Sequence, residues 1–236
     1  MRPAVHVGVV MLARSPSVDE PSALTRDLPA AEAEALGAAV LLDTIEAVVR
    51  CGWPLHLFVP PGPDRERLVA LIAADAALSP RAADVHLHPA VTGEPGVRMA
   101  DAAARTIAAG DDVVVVVRPD VPDLPPNALR AAVDAVAGSA TGAVLALGPA
   151  GHAGFYLAAT SAAAALSAAF MGVTWDAPGV LDAVTRRAEA AGCRVRRVLP
   201  WSVVDTRDDL AALLGRTAVT GRAPRVRRMA GRIGPA

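Results

Sequence analysis

Apolar residues fall along this chain in two alternating rhythms. Short unbroken runs give way to stretches in which apolar positions recur every three or four residues, and the pair of rhythms predicts strands alternating with helices. His6 to Met11 (H-V-G-V-V-M) reads as the first strand, followed by a long polar loop with Arg14, Pro16, Asp19, Glu20, Pro21 and Pro29. Ala30 to Arg50 sets Leu36, Val40, Leu41, Ile45 and Val48 at helical spacing, with Gly52 and Pro54 to end it. Leu55 to Val59 is a second strand, stopped by P-P-G-P. Asp64 to Ala77 is an amphipathic helix with acids in its first turn, where the helix dipole favours them. Val85 to His88 is a short strand, Gly93 to Gly96 a turn, and Val97 to Ala109 a helix. After the valine run come a helix from Asn127 to Ala137, strands Ala143 to Leu147 and Phe155 to Ala159, and helices Ser161 to Phe170 and Pro178 to Ala191. A strand Arg194 to Leu199 and a helix Thr206 to Leu214 complete the order. This order predicts an α/β fold with a mostly parallel central sheet covered by helices on both faces.

The segment Asp111 to Pro126, D-D-V-V-V-V-V-R-P-D-V-P-D-L-P-P, organises the rest. Five consecutive valines are too few to cross a membrane and too β-branched for a helix, and they suit a strand buried on both faces. The prolines end that strand, so Arg118, Asp120 and Asp123 fall at its carboxyl end, the edge where open α/β sheets bind ligands. Asp120 and Asp123 could hold a hard divalent cation through oxygen, or could simply cap the helix that begins near Pro126.

Composition narrows the chemistry. In 236 residues every basic side chain is arginine, which removes lysine Schiff bases and the lysine of a Walker-type phosphate loop. No G-x-G-x-x-G follows the first strand and no G-x-S-x-G is present, arguing against a dinucleotide site and a serine hydrolase. Cys51 and Cys193 lack metal-ligand spacing and read as reduced thiols of a cytoplasmic protein; Arg2 leads straight into the first strand with no signal-peptide core. No stretch is continuously apolar over a membrane-spanning length. His86 and His88 share a strand face but have no third ligand nearby in sequence. One domain is expected over residues 1–215. Residues 216–236 carry six arginines and no acid, leaving the body with 17 arginines against 24 acids, a net of −7. A terminus without aromatic residues, beside an acidic body, argues against nucleic acid and for a basic, loosely ordered tail.

Read collinearly, the chain resembles a small bacterial family with the GT-A glycosyltransferase fold. That family was first catalogued as a domain of unknown function, and its members are often labelled glycosyltransferase A or arsenosugar-biosynthesis glycosyltransferases. The resemblance runs over about residues 5 to 214. It rests on Arg14 and Thr25-Arg26 in the first loop, Asp43-Thr44-Ile45 closing the first helix, and Gly96-Val97-Arg98-Met99 after the third strand. It continues with R-P-D-V-P-D-L-P (Arg118 to Pro125), G-P-A-G-H-A-G-F-Y-L (Gly148 to Leu157), Trp175 with Pro178, Val180 and Leu181, and P-W-S-V-V-D-T-R-D-D-L (Pro200 to Leu210). No single motif carries it; their shared order does.

The resemblance implies a nucleotide-diphospho-sugar transferase-like, Rossmann-like domain. Its first half would bind a nucleotide sugar or nucleoside triphosphate, and its second half a small-molecule acceptor through Phe155, Tyr156 and Trp175. It implies Mg²⁺ or Mn²⁺ held by Asp120 and Asp205, with Arg14, Thr25, Arg26, Gly96, Arg98 and Arg118 around the nucleotide. A metal and an arginine would neutralise a departing pyrophosphate. His152 could act as an acceptor-side base, or serve as a plain hydrogen-bonding residue in a glycine-flanked turn. The chain departs from the family at several points. The family's first late aspartate is Val203 here, Gly151-His152 replaces an acid, and Arg118-Pro119 replaces small residues before the strand-end aspartate. Three readings follow: a metal-dependent glycosyltransferase, a nucleotidyltransferase on the same fold, and a non-catalytic nucleotide-binding or scaffold protein.

Overall fold

A computed structural model gives the fold and describes residues 5–16, 22–139, 142–175 and 177–233. Arg2, together with Asp19, Glu20 and Pro21 of the expected polar loop, lies outside the described residues. In chain order the elements are β1 (Val7–Leu12), α1 (Ala30–Val49), β2 (Leu55–Val59), α2 (Pro63–Ala74), β3 (Val85–Pro89), α3 (Pro95–Ala108), β4 (Val113–Val117) and α4 (Pro126–Ala137). They continue with β5 (Val144–Pro149), β6 (Phe155–Thr160), α5 (Ala163–Phe170), α6 (Val180–Ala190), β7 (Arg194–Arg197), α7 (Arg207–Thr217) and α8 (Pro224–Ile233).

These strands form one sheet in the order β3-β2-β1-β4-β6-β5-β7. β6 runs antiparallel to both of its neighbours, and every other pairing is parallel. The expected mostly parallel sheet is therefore present, and the valine run is its central strand. Val113, Val115 and Val117 pack with Ile45, Leu129 and Val133 on one face. Val114 and Val116 point the other way, into Phe58, Leu166 and Phe170. Each buried valine contributes on the order of 1.5–3 kcal/mol, so the segment's strand identity follows from double-sided burial. Gly8 of β1 lets α3 lie close to the sheet: a Cβ there would stand 2.4 Å from Thr106 Cγ2.

Helix ends depart from the apolar pattern where local hydrogen bonding intervenes. α2 stops at Ala74 rather than Ala77, because the Asp75 carboxylate accepts from the backbone N–H groups of Ala77 and Leu78 and turns the chain.

The carboxyl-terminal segment differs most from expectation. Instead of a loose tail, residues 216–217 finish α7 and Pro224–Ile233 forms α8. A third apolar cluster joins Leu36 and Val40 of α1, Leu210 and Leu213 of α7, and Val226 of α8. Arg225, only 10% exposed, pairs with Asp43 (2.7 Å) and Glu46 (2.5 Å) of α1 and with Asp75 (2.5 Å). Burial works against this cation, but its hydrogen bonds to Asp75, Glu46 and Asp43 outweigh that effect and hold its pKa above the ordinary arginine value. An arginine count describes charge; it does not reveal that one of those arginines has three acidic partners waiting elsewhere in the fold.

Candidate active site

From β1 the chain builds outward through β2 to β3, then returns to place β4 on the other side of β1. Ligands of open α/β sheets bind where strand order reverses in this way, beyond the carboxyl ends of the strands. A cavity of about 670 Å³ lies there. The end of β1 contributes Arg14 and Ser15, the start of α2 Asp64 and Arg67, and the start of α3 Arg98. The loop after β4 contributes Asp120, and the lead into α7 contributes Val204 and Asp205.

Two carboxylates far apart in sequence reach this cavity because the backbone N–H of Val204 donates to the carbonyl oxygen of Asp120 at 2.8 Å. The β4 loop is held a second time by α1, since the Val121 N–H donates to Thr44 Oγ1 at 3.1 Å. Asp205 is followed by a capping box in which Thr206 and Asp209 satisfy each other's backbone donors at the start of α7. Val203 is buried in the core at 1% exposure.

Arg118 stands beside Asp120 and grips it with two prongs: Nε donates to Oδ1 at 2.9 Å and Nη2 to Oδ2 at 2.5 Å. Its own backbone N–H donates to Tyr156 O at 2.9 Å, fixing it as the next rung beyond β4 and β6. Burial disfavours the Arg118 cation, yet the bond to Asp120 and the charges of Asp120 and Asp205 raise its pKa above the usual arginine value.

Arg98 is the opposite case. Its Nε is buried without a partner, and burial together with the nearby charge of Arg14 lowers its pKa. Two guanidiniums held together at a cavity wall favour an anion between them.

The other expected site residues divide. Thr25 lines the cavity, and its Oγ1 accepts from the Ser22 N–H at 3.1 Å. Arg26 is exposed and does not line the cavity. Gly96 serves packing rather than the nucleotide: a Cβ would stand 2.3 Å from Phe170 O. Tyr156 is fully buried, with its hydroxyl donating to Leu199 O at 2.8 Å. Phe155 stacks on Phe170 at 5.4 Å and meets the edge of Trp175 at 6.0 Å. Tyr156 and Phe155 are thus core residues, and the acceptor role expected of them has no surface to act through; Trp175 is half-buried at the rim of this cluster. His152 is exposed, 3.7 Å from Asp209 Oδ2 and outside the cavity lining.

The paired aspartates after β4 also separate. Asp123 is 2% exposed and accepts from Arg216 at 2.7 and 3.0 Å and from Trp201 Nε1 at 3.2 Å. It neither caps α4, which has no side-chain cap, nor reaches the cavity. Sequence reasoning missed Asp64 and Arg67; the available signal was P-P-G-P-D-R-E-R at the carboxyl end of β2, the same sheet edge as Asp120.

A divalent cation at Asp120 and Asp205 does not fit this arrangement. Both carboxylate oxygens of Asp120 are occupied by a guanidinium. Among the described residues no group of three His, Cys, Asp or Glu side chains converges in a way that could hold a metal.

Comparison with known proteins places this geometry in context. A family described as "Uncharacterized protein conserved in bacteria (DUF2064)" matches residues 44–177. No curated protein sequence matches the chain. A structure from Desulfovibrio desulfuricans G20, provisionally described as a nucleotide-diphospho-sugar transferase, superposes with a TM-score of 0.74 at 20% identity, covering 94% of this chain and 93% of that one. A cytidylyltransferase from Leptospira borgpetersenii superposes at 0.57 with 15% identity, covering 91% and 87%. A 4-diphosphocytidyl-2C-methyl-D-erythritol synthase from Anaerococcus prevotii does so at 0.55 with 9% identity, covering 91% and 99%. At these identities the likeness establishes a shared fold. Among the described residues no helix is long and apolar enough to cross a membrane.

Proposed function

The chain belongs to the DUF2064 family, and we propose that it is a transferase acting on a nucleotide-activated donor, with a nucleotide sugar as the preferred class. One observation carries this reading: Asp120, Asp205, Arg14 and Arg98 converge on a single cavity at the strand-order reversal between β1 and β4. Its volume lies within the range of about 300–1,000 Å³ typical of small-molecule sites. The first half of the fold holds the nucleoside. Arg98, buried and unpaired at Nε, faces the diphosphate together with Arg14. Asp120 and Asp205 mark the end of the cavity nearest the 151–153 turn, because Arg118 Nη1 reaches Ala153 O at 3.5 Å. The acceptor approaches from that side. In the transfer an acceptor oxygen forms a bond to the sugar's anomeric carbon. The bond from that carbon to the diphosphate breaks, and its electron pair stays on the phosphate oxygen. The acceptor proton passes to a carboxylate, and Asp205 is the candidate because both oxygens of Asp120 are held by Arg118. Fixed positive charge stabilises the departing diphosphate in a partly water-excluded site.

The likeness to a solved cytidylyltransferase, and a cavity that includes a third arginine, Arg67, support a second reading. In it an acceptor oxygen attacks the α-phosphate of a nucleoside triphosphate and releases pyrophosphate. Incubating the protein with each nucleoside triphosphate and a pool of sugar phosphates, and assaying pyrophosphate, separates the two. The leading reading expects none, together with a rise in melting temperature on adding nucleoside diphosphates that Arg98→Ala removes. No shift with any nucleotide would leave only the fold assignment.

A further inference from the structure

Resting on the reading of this cavity as a nucleotide site, we propose that the guanidinium of Arg118 takes the place of a divalent cation, so that the protein binds and uses its nucleotide donor without metal. The geometry of Asp120 is the first argument. A cation at Asp120 must displace a guanidinium, because Oδ1 and Oδ2 are both engaged by a two-pronged grip at 2.9 and 2.5 Å. That is the strongest form of arginine–carboxylate pairing.

Charge is the second. Asp120 and Asp205 with Arg118 sum to −1, and the neighbouring Arg14 and Arg98 turn the region to +1. A diphosphate is therefore attracted with no metal present. Without Arg118 the same set is neutral, and its two acids would repel phosphate unless a cation stood between them.

Rigidity is the third. Pro119 follows Arg118, its backbone N–H is held by Tyr156 O, and its side chain is only 33% exposed. Arg118 does not itself line the cavity; its fork holds it behind Asp120, so it acts by neutralising that carboxylate, as a cation there would, while Arg14 and Arg98 meet the phosphates. Nη1 reaches Ala153 O at 3.5 Å on the side away from the fork. When the bond between sugar and diphosphate breaks, the electron pair arriving on the phosphate oxygen meets Arg14 and Arg98, with Asp120 already neutralised by Arg118, while the acceptor's proton leaves to Asp205.

The test uses the full chain, manganese(II) as the metal probe, and ADP, CDP, GDP and UDP as nucleotide probes. Electron paramagnetic resonance of free manganese(II) reads metal capture directly, with no nucleotide. Wild type should leave the free signal unchanged, whereas Arg118→Ser, which releases Asp120, should diminish it. Calorimetry then compares nucleotide binding in chelator and in manganese. For the best diphosphate, wild-type affinity should change by less than about twofold between the two, whereas Arg118→Ser should lose about tenfold or more in chelator and regain it with manganese. Arg118→Lys should retain metal-free binding at reduced strength, which shows that charge rather than folding is read. Capture of manganese by wild type, or a gain of about tenfold or more in its nucleotide affinity on adding the metal, overturns the proposal. A wild type that binds no diphosphate under either condition overturns the nucleotide reading itself, and with it the cation-replacing role of Arg118.

Discussion

The backbone N–H of Val204 donates to the carbonyl oxygen of Asp120 across 2.8 Å, and this bond sets the carboxylates of Asp120 and Asp205 on one cavity. It joins the loop leaving β4, in the middle of the sheet, to the segment entering α7. Val204 itself is 2% exposed and packs with Leu36, Val40 and Leu210. The position of Asp205 therefore depends on the packing of α1 against the last two helices, and conditions that loosen those helices should weaken the site.

Arg225 tests that dependence. Replacing it with methionine leaves the fully buried Asp43 without its cation, while Glu46 keeps Arg50 at 2.9 Å. Stability to urea should fall by about 3–5 kcal/mol, as expected when one partner of a buried ion pair is removed. A loss within ±0.5 kcal/mol, the range of ordinary surface substitutions, would mean that α8 contributes little to the fold.

Arg98 and Arg26 form a paired test of the cavity's lining. Arg98→Ala removes a cavity guanidinium and should weaken nucleoside diphosphate binding by about tenfold or more. Arg26→Ala alters an exposed side chain outside the lining and should leave binding unchanged. Equal losses in the two variants, measured by calorimetry, would show that the anion sits nearer the first loop.

Gly96→Ala addresses packing. The added methyl would stand 2.3 Å from Phe170 O and 3.2 Å from Trp175, so α3 must move away from α5. Thermal or urea denaturation should show a loss of about 1–3 kcal/mol, the usual cost of overpacking. An unchanged midpoint would contradict the close approach of the two helices.

The paired strands β2 and β3 carry a pH-dependent element. His56 of β2 meets His88 Nε2 through its Nδ1 at 3.0 Å, stacks near His86, and has a buried Nε2 without a partner. Asp111 Oδ2, at 3.8 Å, is too far for a hydrogen bond. Burial, then the charges of His88 and His86, lower the His56 pKa to about 4. The unfolded imidazole takes up a proton near its ordinary 6.5, while the folded one resists until about 4, so stability present above pH 6.5 is lost as pH falls through that window. The full loss is on the order of 3 kcal/mol, read as a falling urea midpoint, and His56→Phe should flatten the fall. A midpoint that stays level from pH 7 to 4.5 would contradict a neutral, buried His56.

Much of the fold was legible because its causes are local. Five valines can satisfy double-sided burial only as a central strand, and Pro119, Pro122 and Pro125 force that strand to end where Asp120 begins the loop. The site was legible only in part. Asp120 follows from the end of the valine strand, whereas Asp205, Arg14, Thr25 and Arg98 came from the family resemblance, and all five line one cavity. Asp123, Tyr156 and Arg225 were misread because their roles depend on partners distant in the chain: Arg216 and Trp201, Leu199, and the acids Asp43, Glu46 and Asp75. Such pairings arise only when the layers pack, and neither periodicity nor composition contains them.

The most direct test of the central claim is a crystal structure of the protein grown with a nucleoside diphosphate. The account predicts nucleotide density in the cavity between β1 and β4, with phosphate oxygens within about 3 Å of the guanidinium nitrogens of Arg98 and Arg14. A nucleotide bound elsewhere, or a cavity that excludes it at saturating concentration, would contradict the account.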